Sequence, residues 1–132
     1  MLNNQINASA HGKVLLFRMN IFKESSIRDL CRDLGLEAVS VSEQDFGKTI
    51  GELAGMPAAA DTHFKSAAAV PFHEEMMVFC ALAPEVFDRF LAESRKRGLP
   101  PVALKAVLTP YNARWTPGRL CAELSKEHQA LK

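Results

Sequence analysis

The segment 104–117 has the sequence LKAVLTPYNARWTP, which joins the end of an apolar strand, a turn and the start of a helix. Proline at position 110 and asparagine at position 112 are typical of a tight turn. Thr116 is a capping residue, and Pro117 after it suits a first helical position. We therefore predict a strand that ends near residue 108, a turn, and a final helix from Pro117 to about Ala130.

This strand closes the second of two similar units in the chain. Each unit has an apolar strand, an amphipathic helix ended by Gly35 or Gly98, a leucine and another strand. Tandem strand-helix-strand units commonly interleave into one sheet. We predict an α+β fold with a ferredoxin-like, four-stranded antiparallel sheet, both repeat helices on one face and an extra C-terminal helix. An open parallel sheet is the alternative.

The domain prediction follows from this repeat. Residues 1–12 are small and polar and predict a disordered leader. Residues 13–132 predict a single domain: a first unit at 13–42, a connection with a short helix at 43–75, and the second unit plus the final helix at 76–132. Within the connection, the alanine-rich stretch 58–71 has no clear period and predicts a mobile loop.

Composition narrows the class of protein. The 132 residues are 48% hydrophobic and 23% charged, as in a globular domain. The numbers of basic and acidic residues, 16 and 15, are almost equal. This balance argues against nucleic-acid binding, and no segment resembles a signal peptide or a membrane span. The three cysteines lie far apart and predict buried thiols in a reducing cytosol. We expect a cytoplasmic protein with no metal, no cofactor and no membrane partner.

Four residues of the segment are candidate ligand contacts. Lys105, Thr109 and Asn112 are polar side chains close to the start of the last helix, whose free N–H groups favour an anion. Trp115 is the only tryptophan of the chain. Each residue also has a structural interpretation: Lys105 extends along the sheet to an edge, Thr109 and Asn112 form the turn, and Trp115 anchors the last helix to the core.

The same segment carries a family resemblance. The pattern Lys105-Ala-Val-Leu-Thr-x-x-Asn112-x-x-Trp115-Thr, with a helix that ends in Glu127-His128, resembles a bacterial family known as domain of unknown function 3783. The resemblance covers roughly residues 76–130. It implies a bacterial cytoplasmic origin, and it implies no activity, because the family has none assigned.

Three functional hypotheses follow, and whether the protein is an enzyme stays open, with no catalytic motif in favour. The first is a non-catalytic binding or regulatory module that forms a homodimer through an open sheet face or through the last helix. The second is a small anionic-ligand site or an enzyme at Lys105, Thr109 and Asn112. The third, RNA binding by the sheet, requires a free face with exposed aromatic residues.

Overall fold

The computed structural model describes residues 12–56 and 71–130, with side chains up to residue 127. The predicted leader at 1–12, apart from Gly12, lies outside these ranges. The predicted mobile loop at 58–71 also lies outside them, apart from Pro71.

Four strands and four α-helices are present in the described ranges: β1 (Lys13–Phe17), α1 (Ile21–Asp33), β2 (Glu37–Val41), α2 (Ile50–Leu53), β3 (Met76–Cys80), α3 (Pro84–Lys96), β4 (Leu104–Val107) and α4 (Pro117–Ala130). Two single 3-10 turns lie at Glu43–Asp45 and Asn112–Arg114. The repeat of strand, helix and strand is therefore confirmed within these ranges. The last helix has the predicted bounds.

The strands form one mixed sheet in the order β2-β1-β3-β4. β1 pairs in parallel with β2, and β3 pairs in parallel with β4. Only the central pair, β1 with β3, is antiparallel. The predicted antiparallel sheet is therefore wrong, and so is the fully parallel alternative.

The error has a physical reason. β1 and β3 are almost continuously apolar and buried on both faces, so their composition indicates that they lie in the centre of the sheet. β2 and β4 have partly exposed residues, which is typical of edge strands. Composition does not indicate which edge strand lies beside which central strand. In this sheet the two strands of each unit pair directly with each other. In an interleaved sheet, a strand of the other unit lies between them.

Both faces of the sheet are covered. On the first face, α1 and α3 pack on Val14, Leu16, Met77 and Phe79, with Leu30 and Phe90 among the buried helical residues. On the second face, the shared core contains Phe46, Ile50, Phe72, Leu120 and Cys121 from the connection and α4. The predicted open sheet face is therefore absent from the described part of the chain. RNA binding or dimerisation through the sheet requires such a face, and the described residues leave none open.

The backbone repeats between the two units as well. Arg18 directly follows β1 with φ 59°, and Ala81 directly follows β3 with φ 62°. These are the two non-glycine residues with positive φ in the described ranges. Because β1 and β3 are antiparallel, the two residues lie at opposite ends of the sheet. At each end of the sheet, a central strand is therefore followed by a residue with positive φ.

Candidate functional site

Lys105 does not point toward the turn. Leu104 and Ala106 pack into the core of the second face, and side chains alternate along a strand, so Lys105 projects toward the first face. Its Nζ donates a hydrogen bond to the carbonyl oxygen of Val102 at 3.4 Å. This contact fits a lysine that runs along an edge strand to a nearby backbone acceptor.

Thr109 and Asn112 bond to each other and to their own segment. The Thr109 N–H donates to Asn112 Oδ1 at 2.9 Å, and the Asn112 N–H donates to Thr109 Oγ1 at 3.1 Å. Asn112 Nδ2 also donates to the carbonyl oxygen of Val107 at 3.0 Å. Asn112 is buried, and these bonds satisfy its side chain within the turn.

Trp115 lies half-buried between α4 and the rest of the second face. Its carbonyl oxygen accepts a hydrogen bond from the Ile50 N–H at 2.8 Å, which fixes the start of α2. The guanidinium carbon of Arg119 lies 4.7 Å from the centre of the Trp115 ring, a cation–π contact. Trp115 packs against the core of the second face, where α4 contributes Leu120 and Cys121.

The four candidate residues thus come close together without their polar groups converging. All four line one groove of about 300 Å³ between β4 and α4. The Lys105 ammonium, however, bonds to Val102 near the first face, while the Thr109 and Asn112 side chains bond within their turn. The geometry therefore gives no support to an anion held jointly by Lys105, Thr109 and Asn112.

A larger cleft lies at one end of the second face. Lys13 pairs with Glu37 of β2 on one side and with Cys80 of β3 on the other. These three residues form a row across three strands, on the face where Leu15 and Phe17 are part of the core. The row is the floor of a cleft of about 600 Å³. This volume is within the range of small-molecule sites.

The walls of the cleft are mainly apolar. They are formed by residues at the end of α2 and after β3 and β4, namely Ala54, Met56, Ala81, Leu108, Thr109 and Pro110. Gly12 completes the rim with φ 94°, and a Cβ there would lie 2.6 Å from the carbonyl oxygen of Cys80. Glycine is therefore required at this position, because it allows β1 to approach the end of β3 so closely.

Lys13 supplies positive charge to this cleft. Its Nζ donates a hydrogen bond to the carbonyl oxygen of Ala54, at the end of α2, at 3.0 Å. This bond places the ammonium above the row and leaves two of its three N–H donors for other partners. Lys13 forms no ion pair with an acidic side chain in the residues that the structure describes.

The cysteines are buried free thiols, as their spacing predicts. Burial raises the pKa of the Cys80 thiol to about 12, although the Lys13 ammonium acts in the opposite direction. Burial raises the pKa of Cys31 to about 12 as well. At neutral pH the Cys80 thiol is therefore a neutral, apolar part of the cleft floor.

The other end of the same face is closed. Phe46 and Phe72 stack with ring centres 4.8 Å apart, and each also contacts Phe17. The Arg18 guanidinium lies 5.3 Å from the Phe46 ring centre, and its Nε donates to the Phe72 carbonyl oxygen at 3.1 Å. Arg18 also pairs with Glu43. Aromatic rings therefore fill the position that is a cleft at the Lys13 end.

The candidate residues of the sequence did not include Lys13 or Arg119. Lys13 becomes part of a site only when β1 pairs with β2 and β3, and the sequence did not indicate that order. Arg119 had a local signal: it follows Trp115 by four residues at the start of a helix, a spacing at which a cation–π pair can form.

Comparison with known proteins gives one result. Residues 75–131 match the model of the family described as Domain of unknown function (DUF3783). The resemblance seen in the sequence is thus confirmed, and the match spans β3, α3, β4, the turn and α4. No curated protein and no solved structure matches the chain.

The DUF3783 match covers only part of the cleft. Cys80, Ala81, Leu108, Thr109 and Pro110 lie inside it, whereas Lys13 and Glu37 lie outside. The first unit therefore supplies the charged groups of the cleft. Separately, none of the helices in the described ranges has the length and apolar composition needed to cross a membrane.

Proposed function

We propose that this protein is a non-catalytic, cytoplasmic binding module, and that its cleft takes a small molecule with an apolar body and one anionic group. The observation that carries this proposal is the Lys13 ammonium, which lies above the floor of a mainly apolar cleft. A few polar groups in an apolar pocket typically fix the orientation of a ligand.

The charges around Lys13 restrict the ligand further. The Glu37 carboxylate is the neighbour of Lys13 on the edge strand, and its side chain is exposed. This carboxylate beside Lys13 repels a second negative group, since like charges at short range disfavour binding. The proposed ligand therefore carries a single anionic group, which accepts hydrogen bonds from Lys13 Nζ, and its apolar part contacts Leu108 and Met56.

Competition against a fluorescent probe tests this proposal. Decanoate and decanol have the same chain length and differ in charge, and each displaces 8-anilinonaphthalene-1-sulfonate from an apolar site that it shares. We expect decanoate to bind at least about tenfold more tightly than decanol, since a hydrogen bond to a charged group contributes about 1.5–3 kcal/mol. The variant Lys13→Met, which keeps an apolar side chain, should bind the two ligands equally.

A matched control is available on the same protein. Lys48 is exposed and pairs with Asp45 at 3.3 Å, away from the cleft lining. Lys48→Met should therefore keep the preference for decanoate. The proposal is wrong if decanoate and decanol bind equally to the natural protein, or if Lys13→Met and Lys48→Met behave alike.

A homodimer is a second proposal, and an exposed apolar pair favours it. Ile21 and Phe22, in the first turn of α1, have 75% and 82% of their surface exposed. Since a two-fold contact places the same patch of both copies together, this pair could bury itself against its own copy. Light scattering at micromolar concentration should give twice the chain mass of 14.6 kDa, and Phe22→Ser should reduce it. A clean monomer contradicts this proposal.

A further inference from the structure

The turn after β4 carries an exposed aromatic ring close to two arginines. Tyr111 has 80% of its surface exposed, and Arg114 and Arg119 are exposed as well. Together with Pro110 and Trp115 they line a second groove of about 570 Å³. This groove and the cleft share only Pro110 in their linings.

The two arginines are available for an anion. Arg28 and Arg97 pair with Glu24 and Asp33 at 3.2 Å and 2.8 Å. By contrast, neither Arg114 nor Arg119 forms an ion pair with an acidic side chain within residues 12–56 and 71–127. A guanidinium group has five N–H donors in a planar fork that fits phosphate oxygens.

The aromatic groups add a requirement for a planar ligand. One face of the Trp115 ring is occupied by the guanidinium of Arg119, which holds that side chain in the groove. The Tyr111 ring has no such ring or cation partner among the described residues. An exposed ring beside arginines is the combination with which proteins bind a nucleobase and its phosphate.

We propose that this groove is a second ligand site and that it takes a free mononucleotide. The base stacks on Tyr111, and the phosphate binds to Arg114 and Arg119. A free nucleotide fits better than a nucleic-acid strand, because the groove is a single pocket and the chain has 16 basic residues against 15 acidic ones. A strand needs a longer track of positive charge.

The test uses the only tryptophan of the chain as its signal, since Trp115 lines the groove. AMP should change the Trp115 fluorescence in a saturable way. Adenosine and ribose 5-phosphate, which each lack one half of the ligand, should bind at least about tenfold more weakly. Tyr111→Ser and Arg114→Gln should each weaken AMP binding about tenfold, for the loss of stacking and of charge respectively.

The controls decide between this site and others. Arg89→Gln removes an exposed arginine of α3, and Lys13→Met removes the charge of the cleft; both should leave AMP binding unchanged. The proposal is overturned if AMP does not bind, or if ribose 5-phosphate binds as tightly as AMP. It is also overturned if Lys13→Met abolishes AMP binding, or if a six-nucleotide adenosine strand binds more than tenfold more tightly than AMP.

Discussion

The two ends of the second sheet face have a similar backbone but different side chains. At one end Phe46 and Phe72 stack over Phe17, and Arg18 covers their rings. At the other end Lys13 and Cys80 form the floor of a cleft of about 600 Å³. The comparison indicates that side chains of the connection complete the core at the first end, and that the second end keeps the space in which we propose a ligand.

The largest expected effect is at the closed end. Phe46→Ala removes a buried ring that contacts both Phe17 and Phe72, so it should lower the free energy of unfolding by about 3–5 kcal/mol. Met56→Ala, at the rim of the cleft, removes a side chain that is already 38% exposed and should change it by no more than about 0.5 kcal/mol. Urea unfolding measures both. Equal losses would show that the open end is as important to the core as the closed end.

The next effect concerns the wall of the cleft. Asn112→Ala removes the acceptor of the Thr109 N–H and the donor to the Val107 carbonyl oxygen. Because groups that lose a buried partner keep their desolvation cost, we expect a loss of about 1–3 kcal/mol. Urea unfolding of Asn112→Ala measures it. A neutral result would mean that hydrogen bonds in this turn do not stabilise the open end.

Alkaline pH should lower the free energy of unfolding, because the Cys80 thiol in the cleft floor is buried. The pKa of Cys80 is about 12 in the folded protein against 9.0 for a free thiol. The thiol therefore stays protonated to a higher pH in the folded state than in the unfolded state. Stability from this group is therefore complete below pH 9 and declines as the pH rises from 9 to 12. At pH 10 the decline is on the order of 1 kcal/mol. Cys80→Ala should remove that part of the difference between unfolding curves at pH 8 and pH 10, whereas an unchanged difference contradicts it.

The smallest effect tests the backbone at the open end. Ala81 has φ 62°, which costs an L-residue about 1–2 kcal/mol, whereas glycine in its place costs about 0.5–1 kcal/mol of chain entropy. Ala81→Gly should therefore stabilise the protein by up to about 1 kcal/mol. Ala92→Gly, in the middle of α3, should destabilise it by about 1 kcal/mol instead. Thermal unfolding compares the two, and a loss in Ala81→Gly would contradict the account.

The sequence predicted the elements of this fold better than their arrangement. The apolar runs of β1 and β3 and the stops at Gly35 and Gly98 are local signals, and they predicted the strands and helices. The pairing of β1 with β2 depends on contacts between distant segments. The same holds for the stack of Phe46 on Phe72, since the two residues are far apart in the chain and only the fold brings them together.

In the candidate site, too, the local structure was predictable from the sequence and the contacts between distant segments were not. The residue types of Thr109 and Asn112 predict a turn, and the two residues form it. Lys105 is a polar residue in an apolar strand, and its edge position and its hydrogen bond to Val102 agree with the structural interpretation. Lys13 lies at the start of an apolar run, and no pattern in the sequence marks it as a residue of a site. Its role depends on the row formed with Glu37 and Cys80, which exists only in the assembled sheet.

The preference for decanoate over decanol, compared between the natural protein and Lys13→Met, is the decisive measurement for the cleft. We expect a preference of at least about tenfold in the natural protein, because a charged hydrogen bond forms only with the carboxylate. Lys13→Met should show no preference. A preference that survives in Lys13→Met would contradict the claim that Lys13 makes the open end of the sheet an anion-selective site.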